Sequence, residues 1–362
     1  MGRSLWWVGG SGNWSDDDNH WATSSGGSGG DGNLPTSSDD VYFDANSFDG
    51  ADQTVTLDVD SLCHDIVFTG VTNTPTMAFG NKDLSVYGDL TFVSGMSLTA
   101  GSGYLGFEGS DARSVDFGGQ TLPFSVYPDV SGNITFTSDI TLTEESFEIF
   151  GLYTTGAVTI DMRNISFLGS SIDFSGIDVS GGTTVLLDST DITIVEQYNE
   201  AWIYAQNSTA DTFSLDGTTL IVNGDNGDVY FSENTSGISL TLNGTGTDVP
   251  YGTEFNNLTL AEGTATTFGY DSGENAFTVS GNFTAIGSSG NEITLSKSGG
   301  LGDAQFVFSK SSGTVECDYL DISNSSVTGG AHWYAGDNST DSGNNSGWIF
   351  TDRKYPLPPF RS

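Results

Sequence analysis

The sequence predicts an all-β fold, a right-handed parallel β-solenoid in which short strands stack turn upon turn. From about residue 40 to residue 328, short segments place an apolar residue at every second position and end in Gly, Asn, Asp or Ser. This is the pattern of half-buried strands closed by turns, and no helical stretch separates the segments. Stacked β-sandwiches are the alternative architecture. The segments are VTLDV (55–59), LTFVS (90–94), ITFTS (134–138), VTIDM (158–162), LTLNG (240–244), LTLAE (258–262) and VECDYLDIS (315–323).

Composition supports this fold class. The chain has 362 residues, among them 49 Gly, and its 23 Phe and 13 Tyr, with abundant Val, Ile and Leu, supply enough apolar volume for an ordered core. Scarce Lys and Glu leave little material for amphipathic helices. We expect an interior stack that contains Val86, Leu90, Phe92, Ile134 and Phe136.

The formal net charge of −38, from 47 acidic and 9 basic residues, argues against three classes of partner. An acidic surface repels nucleic acid, anionic bilayers and acidic sugars. The predicted body has few cations to offset it: Lys82, Arg113, Arg163, Lys297 and Lys310.

Cysteine content and hydropathy indicate the cellular compartment in which the protein is made. Cys63 and Cys317 are too few for a disulfide framework, so we expect two buried free thiols. The opening MGRSLWWVGG has only four consecutive apolar residues, fewer than a signal peptide needs, and no segment approaches the roughly 20 apolar residues of a membrane span. We therefore expect synthesis in the cytoplasm without a signal peptide, and no insertion into a membrane.

Aromatic residues define the expected domain layout. Residues 1–40 form a Trp- and Gly-rich N-terminal cap and linker, 41–330 the solenoid body, 331–350 a C-terminal cap and 351–362 an extended tail. A solenoid exposes an unpaired strand edge and an open core at each end, and Trp-rich segments can cover both. Sugar stacking is the alternative role for these side chains. The predicted cap residues are Trp6, Trp7, Trp14, Trp21, Trp333 and Trp348.

Several segments carry a family resemblance. WWVGGSGNWSDDDNHW (6–21), LPTSSDDVYFDANSF (34–48), SLCHDIVFTG (61–70) and LSVYGDLTFVSGMSLTAGSGYLGFEG (84–109) are followed by TEFNNLTL (253–260) and by FVFSKSSGTVECDYLDISNSSVTGGAHWYAGDNSTDSGNNSGWIFT (306–351). They resemble β-helix structural proteins associated with the virions of tailed phages and, more loosely, the passenger repeats of autotransporters. The resemblance implies an extracellular scaffold or fibre-like role and supplies no catalytic residues. Residues 190–235 match the pattern least.

A search for catalytic residues yields only weak candidates. Glycan hydrolysis needs two carboxylates around one bond, and Glu144, Glu145, Glu196 and Glu200 are available. With 47 acidic residues such pairs arise by chance, and solvated surface charge explains them better. We therefore expect no catalytic residues and no organic cofactor.

Metal binding has limited support. SDDDNH (15–20) and SSDDVYFD (37–44) place carboxylates beside Asn and backbone carbonyls, the ligands that Ca²⁺ prefers. The Ca²⁺ candidates are Asp16, Asp18, Asp39 and Asp40. His20, His64 and His332 lack partners at zinc-site spacing.

The tail TDRKYPLPPFRS (351–362) differs from the acidic body because it is basic, aromatic and rich in proline. Such a segment is pre-extended and can dock in a partner's groove at low ordering cost; a frayed terminus is the alternative. The predicted docking residues are Arg353, Lys354, Tyr355, Pro356, Leu357, Pro358, Pro359, Phe360 and Arg361.

Together these observations favour a non-enzymatic structural protein on the surface of a tailed-phage virion: a capsid decoration, head-fibre or tail-fibre component. We expect it to attach to other virion proteins through a terminus, to bind host surface glycans, and to be a trimer if it is a fibre. The alternatives are a tailspike-like polysaccharide depolymerase and a bacterial surface adhesin.

Overall fold

The computed structural model confirms the predicted fold class: the chain is nearly all β, and parallel sheets stack as a β-solenoid of about 10 turns. The structure describes residues 2–99, 101–143, 146–148, 158–163, 166–169, 171–173, 183–186, 191–195, 202–205, 212–214, 219–223, 228–231, 237–249, 253–269, 276–297 and 304–353. Within these ranges one short helix occurs, α1 at Asp17–His20. The stacked-sandwich alternative is set aside.

The strands are short, most of them two to five residues long. The first twenty-three are β1 Ser4–Trp7, β2 Gly12–Asn13, β3 Trp21–Ala22, β4 Asp40–Tyr42, β5 Thr54–Thr56, β6 Ser61–Cys63, β7 Ile66–Val67, β8 Thr76–Ala78, β9 Leu84–Val86, β10 Leu90–Thr91, β11 Ser97–Thr99, β12 Leu105–Gly109, β13 Arg113–Asp116, β14 Thr121–Leu122, β15 Val126–Val130, β16 Ile134–Phe136, β17 Ile140–Leu142, β18 Ser146–Glu148, β19 Val158–Asp161, β20 Ser166–Gly169, β21 Ser171–Asp173, β22 Thr183–Leu186 and β23 Asp191–Val195.

The remaining strands are β24 Trp202–Ala205, β25 Thr212–Ser214, β26 Thr219–Asn223, β27 Asp228–Phe231, β28 Ile238–Leu242, β29 Thr245–Val249, β30 Glu254–Leu260, β31 Ala265–Phe268, β32 Ala276–Val279, β33 Phe283–Ala285, β34 Ile293–Ser296, β35 Phe306–Lys310, β36 Thr314–Glu316, β37 Leu320–Ile322, β38 Ser325–Gly329, β39 His332–Tyr334 and β40 Thr340–Asp341. The segment 315–323, predicted as one strand, divides into β36 and β37. Tyr319 turns the chain between them with a φ of 54°.

The chain divides into two compact units. The first comprises Met1–Val195 and Tyr204–Leu215. One of its sheets runs in the order β25-β22-β19-β16-β13-β10-β7-β4-β1-β3, and others contain β11-β8-β5-β2, β14-β17-β20-β23 and β21-β18-β15-β12-β9-β6. Because consecutive strands enter different sheets, each turn of the chain adds one rung to several sheets. The partners Leu84, Leu105 and Val126 follow one another at intervals of 21 residues.

The second unit comprises Glu196–Ile203 and Asp216–Ser362. Its strands follow the orders β26-β28-β30-β32-β35-β38 and β27-β29-β31-β34-β37-β40, and β36 pairs with β39. The seven-residue strand β30 pairs with β32 through its first residues and with β33 through its last. These ladders are parallel, as the solenoid prediction requires.

Inward-facing side chains fill the interior of each unit. All five residues predicted for the interior stack are buried, at 0–2 % exposure. Aromatic rings continue the packing from turn to turn: Phe43 and Phe68 stack with centroids 4.1 Å apart, and Phe68 meets Phe92 edge-on at 5.6 Å. Parallel register places equivalent side chains above one another, so neighbouring turns share a common apolar column.

Carboxylate and amide side chains at the corners add a second connection between turns. Asp65 Oδ1 accepts the backbone N–H of Asp89 at 2.8 Å, and Asp89 Oδ1 accepts that of Ser114 at 2.8 Å. The same contact joins Asp83 to Tyr104, Asn133 to Thr159, Asp139 to Ser166 and, in the second unit, Asn257 to Asn282. Each corner residue satisfies an amide of the next turn, so part of the acidic excess is structural.

The N-terminal aromatic cluster explains the glycines of its motif. Gly9 and Gly10 turn the chain with φ of 79° and 78°, and the Gly10 carbonyl accepts the Trp7 indole N–H at 2.7 Å. Gly12 leaves the space that the His20 ring occupies, since a Cβ there would collide with it. His20 in turn stacks on Trp7 at 4.5 Å.

Strand β3 covers the edge of the first sheet by pairing with β1 in the antiparallel direction. Trp7, Trp14 and Trp21 are at most 1 % exposed, and Trp6 is half-buried against Tyr42. Burial of the indoles is what a cap requires, while sugar stacking needs exposed rings.

The C-terminal aromatic cluster is also buried. Trp333 and Trp348 meet edge-on at 5.4 Å, and Phe283 packs against Trp333 at 5.3 Å. The Trp348 indole donates to Ser325 Oγ at 3.0 Å. These contacts bring the segment predicted as a C-terminal cap onto the interior of the second unit.

Arg113 is a buried cation held by backbone carbonyls. Its side chain is 4 % exposed, and its guanidinium donates to the carbonyls of Val86, Glu108, Gly109 and Asp111 at 2.7–3.2 Å. Burial lowers the pKa of Arg113, although nearby acidic side chains oppose this effect. The side chain thereby ties β9 to the turn between β12 and β13.

We expect Arg113→Leu to lower the free energy of unfolding by about 2–4 kcal/mol, because it leaves several buried carbonyls without donors. Denaturant unfolding of the purified protein measures this loss. Arg163→Leu is the control, since Arg163 is exposed and its ion pair with Asp161 should contribute less than about 1 kcal/mol. Equal stability of the two variants would contradict a bracing role for Arg113.

Candidate functional site

A groove on the outer face of β9, β12 and β15 in the first unit combines tyrosines with carboxylates. Two adjoining cavities form it. One, of about 410 Å³, is lined by Tyr104, Gly106, Glu108, Tyr127 and Asp129. The other, of about 530 Å³, is lined by residues 101–104, Ser125 and Tyr127. The cavities share both tyrosines, and each has the volume of a small-molecule site. We call this the tyrosine–carboxylate groove.

Register in the parallel sheet assembles the groove. Ser85, Gly106 and Tyr127 are direct partners on neighbouring strands, and Glu108 is the partner of Asp129. Partners in a parallel sheet point to the same face, about 4.8 Å apart. Residues that are about 21 positions apart in the sequence therefore become neighbours on one surface.

Glycine shapes the floor of the groove. Gly106 has no side chain between Ser85 and Tyr127, and a Cβ there would approach the Tyr104 ring at 3.3 Å. Gly101 and Gly103 lie so close to the backbone of residues 80–82 that a Cβ at either position would collide with it. The 101–103 corner therefore packs directly against the backbone of residues 80–82, and Tyr104 and Tyr127 line the cavity beside it.

Ring packing positions the two groove tyrosines, and hydrogen bonds position Glu108. Tyr104 and Tyr127 meet edge-on with ring centroids 4.9 Å apart. The hydroxyls of Ser85 and Tyr87 donate to the two carboxylate oxygens of Glu108, each at 2.6 Å. The hydrogen bond to Glu108 is the main cause that raises the pKa of Tyr87 to about 12, with burial second. Tyr87 therefore remains a neutral donor.

Asp129 completes an acidic end of the groove. Its side chain is largely open to water, yet partial desolvation, followed by the negative charge of Glu108, raises its pKa. Burial and the charges of Asp83 and Glu108 likewise raise the pKa of Tyr104. The groove thus offers flat aromatic faces, hydroxyl groups and two neighbouring carboxylates, a set that can stack on sugar rings and accept hydrogen bonds from their hydroxyls.

The predicted catalytic candidates are not among the described residues that line this groove. Glu144, Glu145, Glu196 and Glu200 lie outside the residues that the structure describes. The carboxylates that line this groove with Tyr104 and Tyr127 are Glu108 and Asp129. Sequence reasoning missed them because neither belongs to a local motif. The 21-residue spacing of Leu84, Leu105 and Val126 is the signal that could have found them. This spacing places the outward-facing residues that follow these positions side by side on the sheet.

The four Ca²⁺ candidates occupy separate environments. Asp39 accepts two hydrogen bonds from the Arg3 guanidinium and two from Thr36, and the Arg3 interaction holds the pKa of that carboxyl well below its usual range. Asp16 binds the Asn19 side chain. Among the described residues, two groups place their potential ligand atoms within 4.8 Å of one another, so either group could hold a metal ion. One group is Asp17, Asp18 and Asp31, and the other is Asp40, His64 and Asp65.

His64 lies among three carboxylates. Its Nδ1 is 3.0 Å from both Asp40 Oδ1 and Asp65 Oδ1, and its Nε2 is 3.2 Å from Asp111 Oδ2. Burial lowers the pKa of His64, but the hydrogen bonds to Asp111 and Asp40 and the charge of Asp65 outweigh it, so the net pKa is raised. Through Asp40 and Asp111, His64 connects strand β4 with the turn before β13.

The structure also describes both predicted thiols and the first residues of the predicted tail. Cys63 and Cys317 are buried and free, as predicted, and burial raises the pKa of Cys317 to about 12. In the tail, Arg353 forms an ion pair with Glu316 at 2.8 Å. Lys354, Tyr355, Pro356, Leu357, Pro358, Pro359, Phe360 and Arg361 lie outside the described residues, so docking by the tail stays a prediction.

Comparison with protein-family models, with curated proteins and with solved structures found no match to this chain. No helix in the described part of the structure is both long and apolar enough to cross a membrane.

The raised pKa of His64 predicts a pH-dependent contribution to stability. A group whose pKa is higher in the folded state stabilises the fold fully below its unfolded pKa, about 6.5 for His, and loses that contribution as pH rises through the folded value. The thermal midpoint of wild type should therefore be higher than that of His64→Gln. This difference in midpoint should be largest at pH 5.5 and should shrink toward pH 8.

His332→Gln is the matched control, because His332 is exposed on β39. Its midpoint should follow that of wild type across the same pH range. A wild-type advantage over His64→Gln that stays constant with pH would contradict the role of the imidazolium.

Proposed function

We propose that this chain is a non-enzymatic structural protein that binds glycans on the outer face of its β-solenoid. The tyrosine–carboxylate groove carries the proposal, because it joins two ligand-sized cavities through a pair of aromatic rings. Aromatic faces stack on sugar rings, and fixed carboxylates and hydroxyls bond to their hydroxyl groups. Parallel ladders that cross every turn give such a groove a rigid base.

The arrangement of the carboxylates favours binding over hydrolysis. A hydrolase needs one carboxyl group that gives up a proton and a second that attacks or activates water. Glu108 and Asp129 are register partners on one face of the sheet. Both oxygens of Glu108 also accept hydroxyl donors, which suits a fixed acceptor. The tailspike-like depolymerase is therefore the weaker alternative.

The virion assignment rests on the sequence resemblance described above. In this proposal the protein is a decoration, head-fibre or tail-fibre component of a tailed phage, and residues 351–362 attach it to other virion proteins. The basic composition of this tail, on an acidic chain, fits such attachment. The adhesin alternative shares the glycan-binding groove and differs in the particle that carries the protein.

Glycan-array binding of the purified protein tests the groove. We expect wild type to bind at least one glycan class and Gly106→Thr to bind at least about tenfold more weakly, because the new side chain occupies the floor against Tyr104. Gly106 lies within a strand and does not adopt a left-handed φ, so Thr, a good strand former, should be accommodated by the sheet. No binding by wild type, or equal binding by the variant, would refute the proposal.

The same assay separates binding from hydrolysis. Wild type should leave every bound glycan intact on prolonged incubation, as judged by the reducing ends released. Immunogold labelling of phage particles with an antibody to this chain tests the virion assignment independently. Label on the particle surface supports it, and particles that lack the chain refute it.

A further inference from the structure

We infer that the tyrosine–carboxylate groove selects glycans that carry a protonated amine, such as unacetylated glucosamine units. The inference rests on the proposed glycan-binding function and names the class of glycan. It follows from the charge of the acidic end of the groove, from the aromatic rings beside that end, and from the difference between the two cavities.

Among the described residues, no cation forms an ion pair with the carboxylates of the acidic end. Glu108 and Asp129 are neighbours at about the 4.8 Å spacing of parallel strands, and neither forms an ion pair with any residue that the structure describes. Arg113 acts on Glu108 through space, but its guanidinium is buried and donates to backbone carbonyls. A cationic ligand group would relieve the repulsion between the two carboxylates, whereas an anionic one would add to it.

The aromatic rings strengthen this preference. The half-buried rings of Tyr104 and Tyr127 line the same cavity as both carboxylates. The face of a tyrosine ring attracts an ammonium group, and carboxylates accept its N–H donors in charge-assisted hydrogen bonds. The chain's net charge of −38 should further speed the approach of a cationic glycan at low salt.

The two cavities differ in chemistry on either side of the tyrosine pair. The larger one is lined by Gly101, Ser102, Gly103 and Ser125 and has no carboxylate in its lining. The smaller one contains Glu108 and Asp129. A ligand that spans both would place the hydroxyl groups of one sugar beside the serines of the first cavity and the amine of another sugar in the second. An oligosaccharide of amino sugars meets both requirements.

The experiment compares glucosamine oligomers with N-acetylglucosamine oligomers of the same length, by isothermal titration calorimetry at pH 6 and low salt. The two ligands share their rings and differ in the charge at nitrogen. We expect wild type to bind the free amines at least about tenfold more tightly, the factor for one charge-assisted hydrogen bond. Asp129→Asn should remove most of this preference, and higher salt should weaken it.

Glu254→Gln is the matched control, since it removes one negative charge from an exposed strand position far from the groove in sequence. It should keep the preference of wild type. Equal affinity for both oligomers, or a preference that survives Asp129→Asn, overturns the inference and leaves glycan binding intact. Failure of wild type to bind any glycan overturns both proposals. A synthetic peptide of residues 351–362 that binds the groove where glucosamine oligomers do not would show that its ligand is a basic peptide.

Discussion

Hydrogen bonding from each turn to the next is the constraint on which the rest of this structure depends. A parallel ladder has no tight hairpin to fix its register, so register must come from what each turn presents to its neighbours. Here the inward apolar columns and the corner side chains both do so. Phe43 stacks on Phe68, and Asp65 accepts the amide of Asp89. A shift of one residue would turn the core residues outward and break the corner contacts together.

This constraint explains why the chain can be so acidic and yet ordered. Several Asp side chains accept backbone amides at corners, where a carboxylate is a better acceptor than a neutral group. The few cations are placed where carbonyls or carboxylates gather. Arg113 binds carbonyls, Arg3 binds Asp39, and His64 lies among three acids. The groove differs from these sites because its two carboxylates have no cation of their own among the described residues.

The fold could be predicted from sequence because alternation and turn residues are local signals. Segments such as ITFTS and LTLNG lie on strands β16 and β28, and the predicted interior residues are buried. Trp7 and Trp333, which were predicted as cap residues because a solenoid exposes its ends, are also buried. The groove could not be predicted this way, since Tyr104, Glu108 and Asp129 become a site only once register is known. Segment 315–323 was misread as one strand because the corner at Tyr319 uses a left-handed φ without a glycine.

The corner contacts also bear on how such a molecule can change its length in evolution. Each acceptor, such as Asp65, Asp89 or Asn133, needs an amide one full turn further along. Adding or removing a few residues within a strand would leave acceptors and amides out of step, while gain or loss of a complete coil would preserve every contact. Descendants of this gene should therefore differ by whole coils or by loop insertions between corners, so that the protein grows and shrinks in modular increments.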